Sequence, residues 1–444
     1  MSEKELPGYR GKVLEALMKA GVKVEDRIRI LENGQIFEGI LIPRSEYSDD
    51  KHIVIKIKSG YNVGIKVTPT TKIERMGVGA KLTFRPPPPP EQNPKLPRVA
   101  IVSTGGTIAS RIDYRTGAVH PAITARDLYS TIPEISEKAN IEVEVLFSLY
   151  SENISPSHWT ELAESAARHI EAGVDGVVIC HGTDTMAYTS AALSFAIQNL
   201  PVPVILVGSQ RSSDRPSSDA AMNLVNAVYA AGRAPFAEVA VGMHETISDK
   251  TTVIHRGTRV RKCHTSRRDA FKSINVPPIA RVEEEKITML TEDYRKRDRK
   301  REVVLKPKFE EKVALIKFHT GFNPKIIEWY VNEGYRGIIL EGTGLGHVGS
   351  SLYEHLRNAI KNDLVVGMTS QCIWGRVNMN VYDTGMDLQE IGVTPLEDLL
   401  PETALVKAMW VLGQTKSSER ARELLVENIA GEISQKSYYG SDWP

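Results

Sequence analysis

The 444-residue chain has few cysteines, little net charge and no long apolar run. Its three cysteines, Cys180, Cys263 and Cys372, stand far apart and form no Cys-x-x-Cys pair, which excludes a disulfide scaffold and a cysteine-based zinc site. A formal net charge of +1 argues against bulk electrostatic binding to nucleic acid. The apolar runs, such as Val202–Val207, are far shorter than the roughly 20 residues of a membrane span, and the N-terminus lacks the apolar core of a secretory signal. We therefore expect a cytoplasmic protein with no membrane contact.

Length and composition predict several globular domains. Hydrophobic residues make up 41% of the chain and charged residues 25%, close to the globular average, and the length exceeds that of an ordinary single domain. We divide the chain into a small β-barrel domain at 1–84, a proline-rich linker at 85–97, a large α/β domain at 98–280, a charged linker at 281–312, and a smaller α/β domain with a tail at 313–444.

The first segment changes from helical to strand-like patterning. Apolar residues at 13–18 have helical spacing, and four or five short β-branched runs follow, separated by Asn-Gly at 33–34 and Ser-Gly at 59–60. This pattern predicts a small SH3-like or Sm-like barrel. The five consecutive prolines at 86–90 favour an extended spacer, with a ligand for an SH3-type domain as the alternative.

From Arg98 onward, apolar strands alternate with helices. Val99–Val102, Gly176–Cys180 and Val204–Val207 predict strands, each followed by glycine or small polar residues and then by a helix. This alternation predicts a doubly wound parallel sheet, and the same pattern returns in the smaller domain. The charged segment between them, rich in arginine at 294–301, predicts a solvated linker or exposed hairpin, or alternatively a contact with an acidic partner or an RNA backbone.

Two threonine-bearing turns follow strands of the predicted sheet. The first is Thr-Gly-Gly-Thr at 104–107, whose glycines leave backbone amides uncovered beside the Thr107 hydroxyl. A nucleophile with an oxyanion site needs such a hydroxyl and such amides. A plain structural turn is the alternative, whereas a phosphate loop is disfavoured because its Gly-Lys-Ser/Thr pattern is absent.

The second turn, His-Gly-Thr-Asp-Thr at 181–185, places Thr183 and Asp184 before a helix. Taken alone, Asp184 would serve as an N-cap or as a negative charge in the first turn of the helix. Two threonine-bearing turns at one sheet edge favour a ligand site instead. Lys262 lies in a third segment, rich in arginine, at 259–271. A lysine there is able to activate a hydroxyl, and a solvated basic loop is the alternative.

Together these motifs resemble the bacterial-type L-asparaginases. The segments at 104–108 and 181–189 are similar to the two signature segments of that family, Lys262 falls where it keeps a catalytic lysine, and the loops at 151–159 and 208–224 are also similar. The resemblance covers roughly residues 98 to 415. It implies an asparaginase-like two-domain α/β unit preceded by the small barrel.

The resemblance also implies residue roles. Thr107 would attack the side-chain amide carbon of the substrate. Thr183, Asp184 and Lys262 would form a second threonine–acid–base cluster that relays protons and activates water. The amino-acid end of the substrate would be held by the binding residues Ser151, Glu152 and Gly182. No metal and no organic cofactor is implied for this chain.

Two positions depart from the family pattern. The tyrosine that many asparaginases carry in the loop after the first motif is missing from its usual place at 117–121, and Tyr114 is the nearest substitute. Position 152 is Glu, whereas many members of the family have Gln. The second difference affects how tightly the amino acid would be held.

The N-terminal barrel, with its segment at 32–40, resembles the GatD family of archaeal glutamyl-tRNA(Gln) amidotransferases. That resemblance implies membership of a ligase complex in which this chain takes ammonia from Gln or Asn and passes it to a partner, GatE. GatE would bind Glu-tRNA(Gln) and use ATP and Mg²⁺, so that this chain meets the tRNA only indirectly. A homodimer within a heterotetramer is also implied.

Two alternatives remain. One is a stand-alone L-asparaginase with an accessory domain. The other, of a different class, is a non-catalytic module that binds RNA or protein. The intact set of Thr107, Thr183, Asp184 and Lys262 weighs against the second alternative.

Overall fold

The computed structural model describes most of the chain. The described residues are 5–44, 49–58, 62–79, 92–105, 132–211 and 218–436, with Leu128 and the backbone of 110–112 and 119–121. Thr107, Tyr114 and most of the predicted proline-rich linker lie outside them. Across these described ranges, no helix combines the length and the apolarity that crossing a bilayer requires.

The N-terminal domain is a five-stranded antiparallel sheet that packs against one helix. Its elements are α1 (Gly11–Lys19), β1 (Asp26–Glu32), β2 (Gln35–Leu41), β3 (His52–Lys56), β4 (Asn62–Lys66) and β5 (Lys72–Val78), with the strand order β4-β3-β2-β1-β5. Alternation along β1 buries Ile28 and Ile30, and Val13 and Leu17 of α1 join the same core. The predicted small β domain is confirmed.

The large domain is built on a mixed sheet. Its elements are β6 (Arg98–Ser103), β7 (Ser110–Ile112), β8 (Val119–Pro121), β9 (Asn140–Val145), α2 (Pro156–Glu171), β10 (Gly176–Cys180), α3 (Met186–Ala196), β11 (Ile197–Gln198), β12 (Val204–Val207), α4 (Ala220–Arg233), β13 (Val239–His244), β14 (Thr252–Arg256), β15 (Val260–Lys262), β16 (Phe271–Ser273), β17 (Ala280–Glu283), β18 (Lys286–Met289) and β19 (Val304–Leu305). Among the described strands, the main sheet has the order β18-β17-β14-β13-β12-β10-β6-β9. The five strands from β13 to β9 run parallel, and the other three are antiparallel.

Helices cover both faces of this sheet. Leu224 of α4 packs with Ile101 and Val178 on one face, whereas α2 and α3 pack with Val102 and Val177 on the other. Strands buried on both faces carry apolar residues on both, which is why β10, β12 and residues 99–102 of β6 are continuous apolar runs. The predicted doubly wound sheet is confirmed.

The smaller domain repeats this architecture. Its elements are β20 (Val313–Lys317), α5 (Lys325–Asn332), β21 (Gly337–Gly342), α6 (Tyr353–Lys361), β22 (Val365–Ser370), α7 (Asp383–Ile391), β23 (Thr394–Pro395), α8 (Pro401–Gln414) and α9 (Ser418–Val426). The parallel strands have the order β20-β21-β22-β23. Helix α8 joins the two domains, since Trp410 stacks on Phe195 of α3 with 5.9 Å between the ring centroids.

The charged segment at 281–312 differs from the expected linker. Its first residues form the hairpin β17–β18 at one edge of the large sheet. Farther along, Arg297 donates hydrogen bonds to the carbonyls of Gly232 and Ala234 at the end of α4. These carbonyls have no partner within the helix, so a guanidinium satisfies them well. Much of this segment is therefore part of the large domain.

Candidate active site

The turns that follow β6 and β10 are joined at one edge of the sheet. The two strands are parallel neighbours, with Ser103 opposite Cys180. The backbone N–H and the hydroxyl of Thr104 each donate to the Cys180 carbonyl at 3.0 Å. Gly105 has φ +112°, and a Cβ there would lie 2.4 Å from the Leu149 carbonyl oxygen. Only glycine fits this position. The bonds from Thr104 to Cys180 bring the start of the first motif beside the second.

The central cluster consists of Lys262, Thr183 and Asp184. The Lys262 Nζ donates to Thr183 Oγ1 at 2.9 Å and to Asp184 Oδ1 at 2.7 Å. Thr183 and Asp184 precede α3, while Lys262 ends β15 in a separate two-stranded hairpin. The lysine side chain is only 14% exposed and the aspartate 70% exposed. The structure thus joins residues 79 positions apart into one threonine–acid–lysine cluster at the sheet edge.

Ser151 and Gly182 lie directly beside this cluster. Ser151 is buried in a 3-10 turn at 151–153, and the Thr185 hydroxyl donates to its carbonyl at 2.7 Å. A Cβ on Gly182 would lie 2.8 Å from the Ser151 Cβ and 2.9 Å from its Oγ. Glycine at 182 therefore allows the serine to approach the second motif. Glu152 follows in the same turn and is exposed.

The loop that begins at Gly208 packs against the same turn. A Cβ on Gly208 would lie 2.8 Å from the His181 carbonyl oxygen and 2.9 Å from the Thr183 Cγ2. The buried Asp219 carboxylate accepts the backbone N–H groups of Gln210 and Arg211 at 2.9 and 2.8 Å. These bonds fix the backbone at Gln210 and Arg211, two and three positions after Gly208.

His181 supplies no positive charge to the site at neutral pH. Burial lowers its pKa to about 4, against the opposing effect of its hydrogen bond to the Gly182 carbonyl. Its Nδ1 lies 2.6 Å from that carbonyl oxygen, which assigns the proton of the neutral ring to Nδ1. The ammonium of Lys262 is then the cation that pairs with Asp184.

A second group of charges lies at the domain boundary beside Lys262. Arg261 pairs with Glu402, in the first turn of α8, at 3.2 Å. Burial raises the pKa of Glu341, the positive charge of Lys317 opposes this rise, and the negative charge of Glu402 adds to it. Burial also raises the pKa of Tyr188, with Glu402 contributing. Sequence reasoning missed both glutamates, although Glu341 gives a usable signal because it is a charged residue within a buried apolar strand.

The structure therefore brings together five of the predicted residues, namely Ser151, Gly182, Thr183, Asp184 and Lys262. Glu152 is adjacent and exposed, and Thr107 and Tyr114 lie outside the described residues. Thr185, which holds Ser151, was not predicted; its position just before a helix is the signal that could have found it. Within the described ranges, no group of three or more His, Cys, Asp or Glu side chains could hold a metal ion.

Three protein-family models match most of the chain. Residues 98–295 match the family "Asparaginase, N-terminal", and residues 312–425 match "Glutaminase/Asparaginase C-terminal domain". Residues 22–76 match "GatD N-terminal domain". The three matches correspond to the N-terminal β domain and the two α/β domains.

Individual proteins agree with this assignment. The chain is 51% identical to the GatD subunit of the glutamyl-tRNA(Gln) amidotransferase of Methanopyrus kandleri, over 96% of this chain and 95% of that protein. It is 50% identical to the protein of the same name from Metallosphaera sedula, over 97% of both. The solved L-asparaginase of Thermococcus kodakarensis matches with a TM-score of 0.68 and 33% identity, over 76% of this chain and 100% of that one. L-asparaginase I of Vibrio cholerae matches with a TM-score of 0.67 and 29% identity, over 76% and 99%.

Proposed function

The chain belongs to the GatD family of glutamyl-tRNA(Gln) amidotransferase subunits, and we propose from this premise that it is the amidohydrolase component of that complex. It releases ammonia from the side-chain amide of glutamine or asparagine. The observation that carries the chemistry is the pair of hydrogen bonds from Lys262 Nζ to Thr183 Oγ1 and Asp184 Oδ1, at 2.9 and 2.7 Å. A lysine amine bridged to a hydroxyl and a carboxylate, at the carboxyl edge of a parallel sheet, suits the relay of protons between these groups.

The reaction needs two displacement steps. The Thr107 hydroxyl attacks the amide carbon, its proton goes to the departing nitrogen, the carbon–nitrogen bond breaks, and ammonia leaves behind a threonine ester. Water then attacks the ester, and its proton returns through Thr183 and Lys262 to the Thr107 oxygen as the ester bond breaks. Asp184 holds the lysine in line with Thr183, and Ser151, Glu152 and Gly182 hold the amino-acid end of the substrate.

The ammonia is used by a partner protein. This partner, GatE, binds Glu-tRNA(Gln), activates its glutamyl carboxylate with ATP and Mg²⁺, and receives the ammonia, so the present chain itself requires no cofactor. The near-neutral net charge of +1 supports an indirect contact with the tRNA. We propose a homodimer of this chain within a heterotetramer.

The compartment that suits this assembly is the cytoplasm. All three cysteines are free, and Cys263 and Cys372 are exposed. Exposed thiols of this kind are typical of a reducing environment.

The test is ammonia release from asparagine and from glutamine by the purified chain, alone and with GatE and Glu-tRNA(Gln). We expect hydrolysis that increases when the partner is present, and its loss in Thr107→Ala, which should fold and bind the partner normally. Hydrolysis that is fast alone and unchanged by the partner would favour the stand-alone asparaginase. Near-normal hydrolysis by Thr107→Ala would overturn the nucleophile assignment.

A further inference from the structure

Arg259 lies three positions before Lys262, and its buried guanidinium is bonded to distant parts of the chain. The side chain is 1% exposed. It donates to the Gly431 carbonyl at 2.9 Å, to the Ser434 hydroxyl at 2.7 Å, and to the carbonyl and carboxylate of Asp398 at 3.1 and 3.0 Å. Such bonds from a buried charged group are strong and directional.

The backbone around Arg259 is fixed in the same way. The Arg259 carbonyl accepts the Ile274 N–H at 2.8 Å. The preceding hydroxyl, of Thr258, donates to the Ala430 carbonyl at 3.1 Å, and the Thr258 carbonyl accepts the Thr403 hydroxyl at 2.9 Å. The start of β15 is therefore held by the smaller domain and by residues close to the C-terminus.

Those late residues, 427–436, form what we call the C-terminal segment, and it is itself rigidly held. Lys407 and Glu432 form an ion pair at 2.7 Å in which both side chains are fully buried. The Glu432 carboxylate also accepts the backbone N–H groups of Ile429 and Ala430. A buried carboxylate with this many partners leaves the segment little freedom to move.

Lys262 needs such an anchor because of where it lies. It is the last residue of β15, which belongs to a two-stranded hairpin that is separate from the main sheet. Its side chain must nevertheless stay within hydrogen-bond distance of Thr183 and Asp184, and displacements of about 1 Å are enough to slow catalysis by up to 100-fold. We infer that Arg259 is a positioning residue through which the C-terminal segment fixes Lys262 in the active site. This inference rests on the proposed function.

The experiment compares Arg259→Lys and Ser434→Ala with Arg297→Lys in the full chain. Arg297 is a matched control, because it also donates to main-chain carbonyls, yet it does so at the end of α4, away from the site. We expect Arg259→Lys to lower kcat for amide hydrolysis by about 10- to 100-fold with KM unchanged, and Ser434→Ala to lower it less. Arg297→Lys should leave kcat per folded molecule unchanged.

A second measurement separates this inference from the proposed function. Hydrogen exchange at the amides of 260–262 should accelerate by roughly tenfold in Arg259→Lys, the value for one lost hydrogen bond, and stay unchanged in Arg297→Lys. A wild-type chain that releases no ammonia even with GatE and Glu-tRNA(Gln) present would refute the proposed function, whereas hydrogen exchange would still test whether Arg259 anchors Lys262. Unchanged kcat or unchanged exchange in Arg259→Lys would overturn the inference.

Discussion

Replacing Thr183 with valine tests the threonine–acid–lysine cluster most directly. Valine has nearly the shape of threonine, so the methyl group that Thr183 places close to Gly208 is kept. The change removes the oxygen that accepts from Lys262 Nζ at 2.9 Å. Asp184, which is 70% exposed, remains as the partner of that lysine.

The size of the effect follows from these contacts. A hydrogen bond to a charged group contributes about 1.5–3 kcal/mol, which corresponds to roughly a 10- to 150-fold change in rate. Loss of a positioned proton relay costs about 100- to 10,000-fold. We therefore expect kcat to fall by about 100-fold or more. Loss of the same hydrogen bond should lower the unfolding free energy by no more than about 3 kcal/mol.

The assay is steady-state ammonia release at saturating asparagine and glutamine, with urea unfolding of the same sample. Thr160→Val is the control, since that hydroxyl is bonded to the Pro307 carbonyl, away from Lys262 and Thr183. Its kcat should equal that of the wild type. A Thr183→Val protein with wild-type kcat would show that the cluster does not relay protons.

Three further results are expected. Gly182→Ala should raise KM about tenfold, the equivalent of one lost hydrogen bond, because the added methyl group would lie 2.8 Å from Ser151 Cβ. Gly349→Ala is the kinetic control, since the nearest atom to its added methyl group would be 3.4 Å away. Equal KM values for the two variants would contradict the prediction. Lys407→Met should lower the unfolding free energy by about 3–5 kcal/mol in urea titrations, because it leaves the buried Glu432 carboxylate without its cationic partner. Adding Glu432→Gln should recover part of that loss. A loss below about 1 kcal/mol would count against a buried charge. The folded-state pKa of His181 is about 4, whereas its ordinary value is 6.5. Because the unfolded chain therefore takes up the proton first, the unfolding free energy should decline by up to about 3 kcal/mol as pH falls from 6.5 to 4. His181→Gln should flatten this dependence on pH, and an unchanged slope would refute the assignment of a buried, neutral His181.

Patterns within one element were sufficient to predict much of this fold. Continuous apolar runs located β6, β10 and β12, and their parallel arrangement followed from the helices between them. The same argument located Thr183 and Asp184 at the carboxyl edge of the sheet. Lys262 was assigned through resemblance, because its own segment has the composition of a solvated basic loop.

Other features depend on contacts between distant residues. The arginines at 294–301 have the composition of a linker, yet Arg297 is bonded to carbonyls more than 60 positions earlier. Glu402 lies beside Arg261 only because α8 packs between the two domains. Local periodicity carries no information about such pairs, so neither could be predicted from the sequence.

The bonds from Arg259 to Gly431 and Ser434 also determine when during synthesis the site is complete. They join residues 172 and 175 positions apart, and at about 5–20 residues per second a ribosome needs roughly 10 to 35 seconds to make that stretch. Throughout this interval Thr183, Asp184 and Lys262 have been translated while the segment that anchors the lysine has not. A nascent chain would therefore acquire full amidohydrolase activity only after Gly431 and Ser434 have been made, and shorter chains would hydrolyse free glutamine and asparagine more slowly.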